Sequence, residues 1–331
     1  MAFHEQVLPD ETARFERYAA ELREIQSARA TNGPAKERVL HVKSHVGVVG
    51  NLSITASDPN RVGVFSGEPA SYPVYVRFSN GSGRRQADGA PDVRGIAIKL
   101  VGVPGPKLIP GLEQALTQDF LFISEPAIAF RDPEEFMIFV RAAKDGPLPL
   151  LPRLLGGYGF GRGFGVVKRL FASPKVSSFA KSPFFTAAPI AFGATAAKLA
   201  LFPLAPAEAA ATHGDDALRK DLVQRLGAGA LSWTLSAQLF ESDETTPIED
   251  TSVAWTGAWV ELARLSIPGQ DPDSDAGKRI SSLVDGLSFD PWHAIEAHRP
   301  LGAIMRARAV AYRESVLGRQ AAPEPDSVVS L

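Results

Sequence analysis

The chain contains no cysteine. That excludes disulfides, thiolate-bound haem, iron–sulfur clusters and a cysteine nucleophile together. No apolar run reaches the ~20 residues that a bilayer-spanning helix needs. The N-terminus, Met1-Ala2-Phe3-His4, lacks the basic stretch and apolar run of a signal peptide, so a cytoplasmic location is expected. No internal repeat is visible. Excess charge of one sign is also missing: Lys and Arg number 35, Asp and Glu 37, for a net charge of -2. No nucleic-acid partner follows from that balance. One local absence is more telling. Residues 146–207 hold no Asp or Glu, yet carry Arg153, Arg162, Lys168, Arg169, Lys175, Lys181 and Lys198. Such a segment fits an apolar cover over the rest of the fold. It equally fits a basic surface for peripheral membrane contact, lipid or a fatty substrate.

What is present is ordinary for an enzyme: 331 residues, 45% hydrophobic and 22% charged. The length allows two domains or one large barrel. Residues 10–30 read as an amphipathic helix with Phe15, Tyr18, Ala19 and Leu22 on one stripe, capped by Asp10 and broken at Asn32-Gly33-Pro34. Residues 37–56 read as strand, with Val39, His41 and Lys43 on one face. His41 and His45 are its two histidines. Residues 73–80 are a second strand, on which Arg77 and Ser79 share a face. Asp92 to Leu100 and Asp119 to Ser124 follow as strands, and Asp132 caps a helix beginning at Pro133. A helix is expected over 214–228. Leu231 to Leu239 alternates strictly, and Val253 to Ile267 is another long strand. Long antiparallel strands of this kind fit a closed barrel.

The C-terminal stretch from Pro300 reads as one helix ending near Gly318. On it Arg308 and Tyr312 lie four residues apart and share a face, with Arg319 about two turns further. A phenol flanked by guanidinium groups has a chemical use. A nearby cation favours the anionic form, and a phenolate is a hard ligand suited to ferric iron. The same spacing also fits a plain amphipathic helix with a snorkelling Arg.

Several segments agree with one family in order and spacing. Arg38-Val39-Leu40-His41-Val42-Lys43, Val76-Arg77-Phe78-Ser79, Asp92-Val93-Arg94-Gly95, Asp119 through Ser124-Glu125-Pro126 to Phe130-Arg131-Asp132-Pro133, and Phe289-Asp290-Pro291-Trp292 through Arg308 to Tyr312 resemble the haem catalases. The likeness is greater to their shorter bacterial catalase-like relatives, and it runs from about residue 36 to 319. The resemblance implies an α+β fold, an antiparallel eight-stranded β-barrel with surrounding helices. It implies a haem domain over 36–319; the helical arm over 1–35 precedes it, and the polar tail over 320–331 reads as disordered from its composition. It implies haem, of the b type, with Tyr312 as the proximal ligand and Arg308 as its hydrogen-bonding cation. His41 would be the distal acid–base, oriented by Ser79, and Arg38, Arg77 and Arg319 would pair with the haem propionates. The family's distal asparagine falls on Ser124, and a distal aromatic falls on Ala129.

The expected function is therefore that of a haem hydroperoxidase. The shorter Ser124 and Ala129 and the apolar 146–207 segment favour organic or fatty-acid hydroperoxides over hydrogen peroxide. Two alternatives stand beside it: a haem-binding sensor or carrier with little turnover, and a membrane-associated lipid-binding module. A homo-oligomer is compatible with each.

Overall fold

Period-two alternation sets the centre of the molecule. In the computed structural model, which describes residues 3–30, 38, 40–143, 150–172, 175–205, 208 and 211–330, nine strands form one antiparallel sheet. They are β1 (Ser44–Ile54), β2 (Ser71–Asn80), β3 (Arg94–Val101), β4 (Thr117–Ile123), β5 (Phe184–Phe185), β6 (Ile190–Phe192), β7 (Thr195–Pro203), β8 (Leu231–Leu239) and β9 (Trp259–Ile267). Pairing runs β5-β4-β3-β2-β1-β9-β8-β7, and β5 pairs again with β7. That last pairing closes an eight-stranded barrel, with β6 attached to β7 outside the ring. Closure removes the open edges that would otherwise invite aggregation. Leu231, Trp233, Leu235 and Ala237 of β8 all point into the barrel core, as their alternation requires. Val74, Val76 and Phe78 of β2 join them. The opposite parity of β2 places Tyr75, Arg77 and Ser79 on the barrel's outer face.

Helices pack around this barrel, one of them turning Leu218, Leu222 and Leu226 into its core. They are α1 (Glu11–Ala30), α2 (Pro133–Ala143), α3 (Leu150–Tyr158), α4 (Phe160–Ala172), α5 (Ala217–Ala228), α6 (Asp275–Gly286) and α7 (Ala303–Arg319). Asp132 caps α2 as expected, accepting from the Glu135 N–H at 2.9 Å. α6 lies close on β1 because Gly47 has no side chain there: a Cβ would stand 2.5 Å from Val284 Cβ. Among the described residues no helix is long and apolar enough to cross a membrane.

Four expectations need correcting. The strand foreseen from residue 37 begins at Ser44, because His41 adopts a left-handed backbone (φ 57°) that no strand accommodates. The strand foreseen from Val253 begins at Trp259. The Val253 carbonyl instead accepts from the buried Lys198 ammonium at 3.0 Å, which the Trp255 ring also covers. Residues 146–207 are more than a cover: past the α3–α4 hairpin they supply β5 and β7, which complete the barrel.

The tail, expected to be disordered, is instead docked against the outer wall. Glu324 reaches Lys99 Nζ at 2.6 Å and accepts from Thr117 and Ser288, both at 2.7 Å. The Tyr75 hydroxyl donates to the Ser327 carbonyl and accepts from the Val329 N–H. The foreseen break at 32–34 lies outside the described residues.

Candidate active site

A cavity of about 290 Å³ lies between the outer face of β2–β4 and the helices α7, α1 and α2. The expected site residues Arg38, His41, Arg77, Ser79, Arg308 and Tyr312 all line it.

The helix side is α7. Its cavity face repeats at helical spacing: Ile304, Ala307, Arg308, Ala311, Tyr312 and Val316. Arg308 donates to the Tyr312 hydroxyl at 2.8 Å, and its guanidinium stands 5.0 Å from that ring's centroid. The helix does not begin with Pro300 in its first turn. Pro300 bridges to Ile190, Gly302 turns left-handed (φ 85°), and α7 starts at Ala303. Two distant glutamates satisfy that start. Glu5 accepts from the Gly302 N–H at 2.9 Å and Glu249 from the Ala303 N–H at 2.7 Å. Their charge also suits the positive end of the helix. Arg306, one turn in, is clamped by Glu5 and Glu11 at 2.8 Å and by Glu249 at 3.2 Å. This ties the N-terminal arm across α7 and brings Tyr18 and Leu22 to the cavity wall, beside Phe136 and Met137 of α2.

The barrel side carries the imidazole. His41 Nδ1 and Ser79 Oγ are 3.0 Å apart. Burial and the guanidinium groups of Arg77, Arg308 and Arg38 push the His41 pKa down to about 3. The ring is therefore neutral near pH 7. It fits because residue 95 is glycine: a Cβ there would lie 2.6 Å from His41 Cε1 and 2.7 Å from Nδ1. The His41 N–H donates to the Gly81 carbonyl at 3.0 Å, and its carbonyl accepts from Arg77 at 2.9 Å. Arg77 is buried, and its Nε donates to Asp285 Oδ1 at 2.9 Å. Arg38 donates to the main-chain carbonyls of Asp285 and Leu287 at 3.0 and 2.7 Å, and stands 6.0 Å from the Phe289 ring centroid.

Ser124 does not join this group. Its hydroxyl accepts from the Arg94 N–H at 3.0 Å and is spent on the β3–β4 junction. Ile123 and Ile128 reach the cavity wall, whereas Ser124 and Ala129 do not. His45 is a core residue: its Nε2 is 2.8 Å from Asn80 Oδ1, and its ring packs on Phe179. The side chain of Arg319 lies outside those described. Residues 146–207 give the cavity Thr186 alone among the described residues. Sequence reading gave no role to Gly95 or Asp285. Gly95 stood inside the Asp92-Val93-Arg94-Gly95 match, whereas nothing local marked Asp285.

No family model matches the chain. A catalase-related peroxidase of Mycolicibacterium paratuberculosis (strain ATCC BAA-968 / K-10) is 28% identical over 264 residues, which cover 75% of this chain and 78% of that protein. A fungal catalase structure superposes with a TM-score of 0.67 at 19% identity, over 88% of this chain and 61% of that one. Catalase A from Saccharomyces cerevisiae gives 0.67 at 15% identity, over 89% and 63%. The fold is that of the catalases, and the chain is similar in sequence to a catalase-related peroxidase. The chain spans about three-fifths of the length of these solved catalases. In this catalase-like chain the cavity sits where β2–β4 and α7 meet, and a Tyr–Arg pair and a His–Ser pair reach it from different elements.

Proposed function

We propose that the protein is a haem-dependent peroxidase acting on peroxides, with organic or fatty-acid hydroperoxides as its preferred substrates. The observation that carries this is one cavity holding both the Arg308–Tyr312 pair and the His41–Ser79 pair. The residues fit a haem. Tyr312 offers a hard oxygen ligand for ferric iron, and Arg38 and Arg77 offer cations for two propionates. Small residues on both sides, Gly95 and Ala97 from β3 and Ala307 and Ala311 from α7, leave room for a flat ring.

When bound, the haem supplies the ferric centre at which a peroxide O–O bond is broken. The protein's own part is proton handling and orientation. A neutral His41 that donates Nδ1–H to Ser79 Oγ turns Nε2 to the cavity as a base. It takes the proton from the near peroxide oxygen and returns it to the far one, so that the leaving group departs as water or alcohol. Arg308 donates to the Tyr312 hydroxyl oxygen and so fixes the direction in which that oxygen faces the cavity. The preference for organic hydroperoxides is supported by the apolar wall of Leu22, Leu40, Ile128, Phe136 and Met137, and no longer by Ser124.

The acid-free segment supports a second part of the reading, contact with an anionic bilayer surface. On α4 the side chain of Phe164 is 62% exposed, and Lys168 follows it on the same face. An exposed aromatic beside cations suits the boundary of anionic lipid.

The central test is spectroscopic. The purified protein should show a Soret band, and stopped-flow mixing should give a higher second-order rate for a fatty-acid hydroperoxide than for hydrogen peroxide. Tyr312→Phe keeps the ring's packing and should lose haem or change the ferric spectrum. An unchanged spectrum and rate in that variant would remove Tyr312 as the ligand.

A further inference from the structure

His41 is held in a backbone state that residues other than glycine seldom adopt, and His is among those that tolerate it. Such states persist where neighbours over-determine them. Here the N–H is fixed by Gly81 and the carbonyl by Arg77. Arg77 would be a poor anchor if free to swing, because it also lines the cavity. It is not free to swing. Its Nε donates to Asp285 Oδ1, on the last turn of α6, and α6 is seated against β1 over Gly47.

Asp285 divides its groups between two arginines. Its side chain takes Arg77, and its main-chain carbonyl takes Arg38. A substitution at 285 therefore removes the Arg77 contact and leaves the Arg38 acceptor in place. We propose that Asp285 is the positioning residue for His41, acting through Arg77, and so sets the imidazole's place over the bound peroxide. Without the carboxylate, Arg77 loses the contact that fixes it and releases the His41 carbonyl. This rests on reading the cavity as a peroxidase site, and the experiment has one arm that does not.

In that arm, cofactor-free protein is labelled at its six histidines and examined by NMR. The His41 ring signal, assigned by its loss in His41→Ala, should move in Asp285→Ala. It should return in Asp285→Asn, which keeps an oxygen acceptor for Arg77 Nε. In the second arm the haem-loaded proteins are mixed with hydrogen peroxide and with cyanide, whose binding also passes a proton to the distal base. Asp285→Ala should lower both association rates per bound haem about tenfold, the scale of one lost charge-assisted hydrogen bond. Asp285→Asn should restore most of the rate, and haem retention and melting temperature should stay at parental values. A merely structural role would lower stability or haem retention and leave the cyanide rate per haem unchanged. An unmoved His41 signal, or parental rates in Asp285→Ala, overturns the proposal. A moved signal in a protein that takes up no haem would uphold the Asp285 link and refute the haem reading.

Discussion

At the scale of single residues, protonation state decides what His41 does. Its pKa lies at about 3, because burial and three guanidinium groups disfavour the imidazolium. The sign is that of a group kept neutral: the base form is present at every pH well above that value. Peroxide reactivity should therefore be flat between roughly pH 5 and 8, where an unperturbed histidine would lose its base form below about 6.5. A pH profile of the second-order rate checks this. His41→Ala should keep the haem and lower that rate by about 10²–10⁴-fold; a parental rate would move the role elsewhere. Ser124 has a different fate. Ser124→Ala leaves the Arg94 N–H without its acceptor, and should cost ~1–3 kcal/mol in denaturant unfolding with peroxide rates unchanged. A changed rate would return Ser124 to the cavity.

At the scale of elements, two chain ends are fastened to the fold through ions. The N-terminal arm is held by Arg306 and its three glutamates, so α1 walls the cavity. The tail is held by Glu324 in a buried cluster with Lys99, Asp119 and His293. Burial raises the Glu324 pKa, but Lys99 and His293, with hydrogen bonds from Lys99 and Ser288, more than offset this and hold it below 4.5. A depressed carboxylate stabilises fully above its unfolded pKa and loses that contribution as the pH falls. A chain ending at Gln320 should therefore melt below the full chain at neutral pH, by about 1–3 kcal/mol, because Lys99 keeps Asp119 at 2.7 Å. The gap should narrow as the pH drops below roughly 4.5. Equal melting curves at pH 7 would show that the tail adds nothing.

At the scale of the whole molecule, charge is unevenly placed although the net charge is only -2. The acid-free stretch includes the α3–α4 hairpin, on which Arg153, Phe164 and Lys168 are all exposed. Each basic residue near an anionic bilayer contributes ~1 kcal/mol, and salt screens that attraction. The protein should float with phosphatidylserine vesicles at low salt and not with neutral ones. Phe164→Ser should weaken that binding without changing the rate with a soluble peroxide. Equal recovery with neutral vesicles would remove the electrostatic account.

The amino-acid sequence by itself determined whatever rests on short-range pattern. Alternation placed the inward face of β8, and i, i+4 spacing placed Arg308 one turn from Tyr312, where they do meet. Parity put Arg77 and Ser79 on one face of β2, and both line the cavity. The tertiary structure decided what rests on partners distant in the chain. The His41 segment reads as strand until Arg77, Gly81 and the missing side chain of Gly95 bend it into a left-handed turn. Ser124 reads as a cavity residue until the Arg94 N–H claims its hydroxyl. The tail reads as disordered because its polarity gives it nothing local to bury. Glu324 finds its partners in Lys99 and Thr117, more than two hundred residues earlier. Buried ions and backbone polar groups must be satisfied wherever a partner lies, and local pattern carries no record of that distance.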